Sequence, residues 1–125
     1  MIKSRWSQNV FLGTLVIILA LLVWWGWGNG VNSAQSKRVV KDAISMTEGF
    51  KEFYKDQNRY PTTGEFEDYN LMRPYIVNFP PQEFHSEVCS KSFDYFNATP
   101  QTYELRFCLS KSVNGYLVGW NTLKP

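Results

Sequence analysis

Acidic residues are missing from one long part of this sequence: none occurs from Trp6 to Trp27. Between Val10 and Trp27 the basic residues are missing too, so this stretch, VFLGTLVIILALLVWWGW, carries no charge at all. Histidine is almost absent, with His85 alone, and cysteine is limited to Cys89 and Cys108. Each scarcity excludes something. One histidine in a proline-rich loop, with Glu83 and Glu87 as its nearest acids and no marked nucleophile, makes no catalytic triad. Two cysteines nineteen positions apart form no CxxC redox motif and too small a ligand set for structural zinc. The chain carries thirteen basic and eleven acidic residues. Setting aside Lys3 and Arg5, which precede the apolar run, leaves eleven of each. A nucleic-acid partner, which needs a basic excess on the folded part to neutralise phosphates, is therefore not expected.

What is present divides the 125 residues into segments. The eighteen residues from Val10 to Trp27 suffice, at about 1.5 Å per residue, to cross a hydrocarbon layer of about 30 Å. They show no polar face, unlike a core helix of a small domain. Val10, Leu15, Ile18 and Leu22 read as the lipid-facing body of a transmembrane helix, with Trp24, Trp25 and Trp27 as an interfacial belt on one flank and Trp6 on the other. Lys3 and Arg5 should hold residues 1–9 in the cytoplasm as a basic stub, making the chain a single-pass inner-membrane protein with its C-terminal domain outside. A cleaved secretory signal competes with this reading. GNGVNSAQS offers only Ala34 as a cleavage point, and tryptophans occupy the approach to it, so an uncleaved anchor is the expectation.

Residues 28–33, with Gly28, Asn29 and Gly30, read as a joint, because each glycine disfavours helix by about 1 kcal/mol relative to alanine, and Ser33 is a good cap for a new start. Residues 34–125 form the extracytoplasmic domain. Its helix is expected from about Ala34 to Asp56. Val39 or Val40, Ala43, Met46 or Thr47, Phe50, and Phe53 or Tyr54 recur at helical spacing there, while the charged residues fall largely elsewhere. Pro61 bars the helical conformation at Tyr60, and Asp56 and Asn58 favour turns, so the helix should end at KDQNRYPTT with Tyr60 folded back onto it. A short helix capped by Thr62 or Thr63 is expected next, then an ordered loop bearing Leu71, Tyr75, Ile76 and Phe79.

Three alternating segments complete the chain: KSFDYFNAT, TYELRFCLS and GYLVGWNTL, the last two separated by a turn at Asn114-Gly115. They predict a three-stranded antiparallel meander, with Leu105 and Phe107 facing the helix. In an oxidising compartment Cys89 and Cys108 should pair, closing a loop of about twenty residues worth roughly 3 kcal/mol. Cys108 alternates with Phe107, which places that bridge on the less buried side of the sheet. The fold class is α+β: a transmembrane helix, then an amphipathic helix packed on the meander. Phe50, Phe53, Tyr60, Pro61, Leu105 and Phe107 are its structural core.

This order of parts, with YKDQNRYPTT closing an aromatic-spaced helix between Ala43 and Thr63, resembles the type IV pilins and type II secretion pseudopilins. The resemblance implies a pilin-like structural subunit of a pilus or secretion apparatus, whose partners are the membrane, other pilin-like subunits and the machinery. Two family features are not found. Gly13 is followed by Thr14 rather than by the peptidase-site residue, and the glutamate that follows that site in the family has no counterpart. The acidic residues with which major pseudopilins hold calcium are likewise missing from SKSVNG. No cofactor, metal or catalytic residue is carried over. These departures keep open a second reading, a membrane-tethered binding module that shares the fold and does not polymerise.

Overall fold

The computed structural model describes residues 2–125, with side chains described for 7–27 and 30–125. Lys3, Arg5 and Trp6, assigned above to the basic stub and one end of the tryptophan belt, lie outside the described side chains. The elements in order are α1 (Ile2–Gln57), α2 (Thr63–Glu67), α3 (Tyr69–Met72), β1 (Phe93–Phe96), β2 (Glu104–Leu109) and β3 (Gly119–Leu123). The chain divides into two compact units, residues 1–32 and 33–125.

α1 corrects the expected joint at 28–33: its backbone stays helical through Gly28, Asn29, Gly30 and Ser33. The glycine penalties, about 1 kcal/mol each, fall between two strongly helical stretches. Breaking the helix there would forfeit several backbone hydrogen bonds and require a second costly nucleation.

In the second unit one face of α1 is buried: Ser36, Val39, Val40, Ala43, Met46, Phe50 and Phe53. Steps of three and four keep these residues on one stripe. The helix ends where Asn58 adopts a left-handed conformation, φ 55°, and its N–H still donates to the Tyr54 carbonyl at 2.8 Å. Asparagine tolerates this backbone better than most residues because its short side chain can bond locally. Thr62 then caps α2 in a reciprocal box, its hydroxyl accepting from the Glu65 N–H while the Glu65 carboxylate accepts from the Thr62 N–H. Asp68 caps α3.

The sheet has the order β1-β2-β3 and is antiparallel throughout. Phe93 pairs with Phe107, Tyr95 with Leu105, and Leu105 in turn with Leu123, lining one face with apolar side chains. That face, the buried stripe of α1, and Met72, Ile76 and Phe79 from the intervening loop form a single core.

Two strand-level expectations change. β3 starts at Gly119 rather than at Gly115. Asn114 and Gly115 do turn, both with positive φ, but the turn closes a two-residue hairpin between Val113 and Tyr116. This is the primed geometry that Asn-Gly favours. Residues 117 and 118 are left outside the ladder, with the Leu117 carbonyl accepting from the Asn121 side chain. Cys108, expected on the less buried side of the sheet, is only 3% exposed. The alternation was right, but the loop through Cys89 lies over that position.

Candidate functional site

Among the described residues no group of three or more histidine, cysteine, aspartate or glutamate side chains is placed to hold a metal. His85 Nδ1 lies 2.6 Å from the Ser90 carbonyl, and the Glu83 carboxylate accepts from the Ser92 N–H at 2.7 Å. Both groups are thus spent on holding the loop, and neither approaches the other as an acid–base pair would. The acids Glu65 and Asp68 are spent as helix caps. The features with functional content are a helix surface and the aromatic junction that closes the second unit's helix.

The surface is the apolar part of α1. Among the described residues this is the one helix long and apolar enough to cross a membrane. Val10, Leu15, Ile18, Leu22, Trp24, Trp25 and Trp27 are all exposed, from 45% at Leu15 to 77% at Trp24. At about 25 cal/mol per Å² of apolar area, leaving such a surface in water is strongly unfavourable. A continuous apolar surface of this extent marks a contact with lipid or with other apolar helices. Its one hydroxyl, on Thr14, turns back to donate to the Val10 carbonyl at 2.9 Å. A helix meets the requirement that every backbone group in lipid be bonded internally.

The junction is built on Phe50, which is fully buried. Its ring meets Phe66, Tyr95 and Tyr103 at centroid distances of 5.9, 5.1 and 4.9 Å. Tyr60 folds back on Tyr54 at 4.8 Å and meets Tyr103 at 4.8 Å. The backbone follows the rings: the Tyr60 N–H donates to the Pro100 carbonyl at 2.8 Å, and the Tyr95 hydroxyl donates to the Pro61 carbonyl at 2.5 Å. Pro61 therefore does more than stop the helix, since its carbonyl pins the turn to the sheet. The Tyr54 hydroxyl donates to the Gln101 side chain across the same seam. Burial pushes the Tyr103 hydroxyl up to about 12, and Tyr95 still higher, because a buried phenolate would lose its hydration. Arg59 forks onto Glu65 at 2.5 and 2.9 Å and lies over the Phe53 ring, 5.3 Å from its centroid. The guanidinium holds the Glu65 carboxyl down at about 2.

Phe53, Leu105 and Phe107 are buried in the same core as Phe50; Pro61 is fully buried, and Tyr60, expected in the core, is only partly buried against it. Cys89 and Cys108 form a disulfide, with Cα atoms 5.8 Å apart. Three contributors escaped sequence reasoning. Gly49 sits so close to the 75–76 backbone that a Cβ there would come within 2.7 Å of the Tyr75 carbonyl oxygen. Ser36 is buried and bridges to Ser110 Oγ at 3.2 Å and to the Lys111 N–H at 3.1 Å. Tyr95 carries the strap to Pro61. None has a local signal, because each depends on a partner at least 26 positions away.

No family model, curated protein or solved structure matches this chain.

Proposed function

We propose that this protein is a membrane-anchored, pilin-like structural subunit of a type IV pilus or type II secretion-type apparatus, acting by assembly rather than by catalysis. The observation that carries the reading is that one helix, α1, supplies both an exposed apolar surface and a buried stripe packed on a three-stranded antiparallel sheet. Support also comes from the aromatic closure at Tyr60-Pro61, which matches the helix end that the resemblance led us to expect.

The orientation proposed is N-terminus in the cytoplasm and residues 33–125 outside. Charge asymmetry is a small part of the support: Lys3 and Arg5 lie seven and five positions before Val10, but Lys37, Arg38 and Lys41, ten to fourteen positions after Trp27, offset them. The Cys89–Cys108 disulfide is the stronger support, since such bridges persist in oxidising compartments and are rare in the cytosol. The second reading, a tethered binding module that does not polymerise, retains one support in the missing glutamate. Its other support, the joint at 28–33, falls where the two compact units divide, within a backbone that is helical.

Photocrosslinking from Ile18 in native membranes separates the two. A subunit of an assembly should give adducts with copies of itself or with other single-helix envelope proteins. A ladder confined to lipid and monomer would overturn the subunit reading in favour of the module.

A further inference from the structure

The second unit has a distinct end where its chain begins. Ser36, three residues into the unit, is tied to the segment leaving β2 through Ser110 Oγ and the Lys111 N–H. Leu109 pairs with Gly119 across the sheet, so β3 begins at this same end. The residues leading into β3 are exposed and apolar: Leu117 is 72% exposed, Val118 51% and Trp120 46%. Val88 joins them at 52%, carried by the disulfide, since Cys108 pairs with Trp120 and also binds Cys89. From Ser112 to Leu123 the sequence has no charged residue.

Edge strands of soluble domains are ordinarily guarded by charge, proline or a bulge, and β3 has none of these among its first residues. Cations belong to the same end of the unit, through the Ser36 link to Ser110 and Lys111. Lys37 and Lys41 are exposed, one turn apart on α1, and neither has an ion-pair partner among the described residues. Lys111 is brought in by its bond to Ser36 and makes a contact of its own. Against these cations stand Asp42, paired to Arg38 at 3.5 Å, and Glu87. With Arg38 counted, an excess of two positive charges remains.

We infer that this end of the unit, with Leu117, Val118 and Trp120 at its tip and Lys37 and Lys41 beside it, docks into the headgroup layer of the bilayer that holds the apolar part of α1. The inference rests on the anchor reading. Three arguments select lipid over a protein occupant. Tryptophan with exposed leucine and valine, and lysine at the same end of the unit, is the composition of interfacial membrane contacts. The cations complement anionic headgroups, each worth about 1 kcal/mol near an anionic surface. Ser36 is only nine positions after Trp27, and at no more than about 3.6 Å per position the chain keeps the tip near the membrane at high effective concentration. A contact too weak to hold a free domain is sufficient for a tethered one.

The test uses the full chain in vesicles of phosphatidylcholine with and without phosphatidylglycerol. An environment-sensitive dye is placed on Leu117→Cys or Val118→Cys, and in a control on Lys55→Cys near the other end of the unit's helix; the native cysteines are bonded and do not label. Lipids bearing a headgroup-level nitroxide should quench the tip dyes about threefold more than the control. Quenching should rise with phosphatidylglycerol and fall with salt or with Lys37→Gln/Lys41→Gln. Equal quenching at tip and control, with the protein still floating with the vesicles, overturns the docking and leaves the anchor intact. Failure to float overturns both. Shielding of the tip from aqueous iodide that grows with protein density, without nitroxide quenching, would identify a second copy at the β3 edge and also refute the lipid contact.

Discussion

Gly49 shows how much a single hydrogen can decide. It occupies the buried stripe of α1 where the loop at Tyr75 and Ile76 crosses, and an added Cβ would sit 2.6 Å from the Ile76 side chain and 2.7 Å from a backbone oxygen. Helix propensity alone would make Gly49→Ala stabilising by about 1 kcal/mol. Here the backbone oxygen cannot move aside cheaply, so Gly49→Ala should instead destabilise by about 1 to 3 kcal/mol, read by urea denaturation of the full chain in micelles. A stabilised variant would mean that the loop is not seated on the helix. Glu65 acts at the same scale. Its folded pKa of about 2 lies below the unfolded value of 4.5, so its contribution is present above pH 4.5 and is lost as pH falls through 2. The pair is partly exposed, and screening limits that contribution to about 1 kcal/mol. Glu65→Gln should therefore lower stability near neutrality and flatten its loss between pH 4.5 and 2. An unchanged acid profile would show that the Arg59 fork carries no stability.

At the scale of the element, α1 beyond Ser33 is defined by its two faces. Phe53 is 1% exposed and packs edge-on against Tyr75 at 5.1 Å. Glu52, its neighbour, only pairs with Lys55 at the surface. Phe53→Ala should cost about 3 to 5 kcal/mol by lost burial and an unfilled cavity, and Glu52→Ala within about 0.5. Similar costs from the two, measured by the same denaturation, would contradict the assignment of faces. β2 is defined as much by what covers it. The disulfide binds the 84–92 loop over Cys108, and the Ser92 hydroxyl, itself buried, accepts from the Phe84 N–H at 2.7 Å. Replacing both cysteines by serine should lower stability by about 2 to 5 kcal/mol and should raise hydrogen exchange in the 84–92 loop before it does so in β1 and β2. Uniform loosening of the whole sheet would place the bridge's role elsewhere.

For the whole molecule, the separation into two units predicts two kinds of solubility in one chain. The first unit presents apolar side chains outward along 10–27, and the second buries its own around Phe50, Leu105 and Phe107. A reporter enzyme active only outside the cytoplasm, fused after Pro125, should be active, and the protein should resist alkaline extraction from membranes. A soluble product cut near Ala34 would show instead that the apolar stretch is a removable signal.

Periodicity and punctuation in the sequence determined the apolar segment, the buried stripe of α1, the order of the three strands and the stop at Tyr60-Pro61. These are local properties: hydrophobic spacing, proline sterics and caps act over one or two turns of chain. The tertiary structure alone decided whether the helix breaks at Gly28 to Ser33, which side of the sheet is covered at Cys108, where β3 begins, and why position 49 is glycine. The first and third turn on the balance of local terms that propensity alone does not weigh: the helix hydrogen bonds and nucleation cost at 28–33, and the Val113–Tyr116 hairpin before β3. The other two turn on segments distant in sequence. Cys108 is buried because a loop nineteen residues earlier is fastened over it, and Gly49 is needed because a backbone 26 residues later crosses there. Alternation and propensity carry no information about what will come to lie on top.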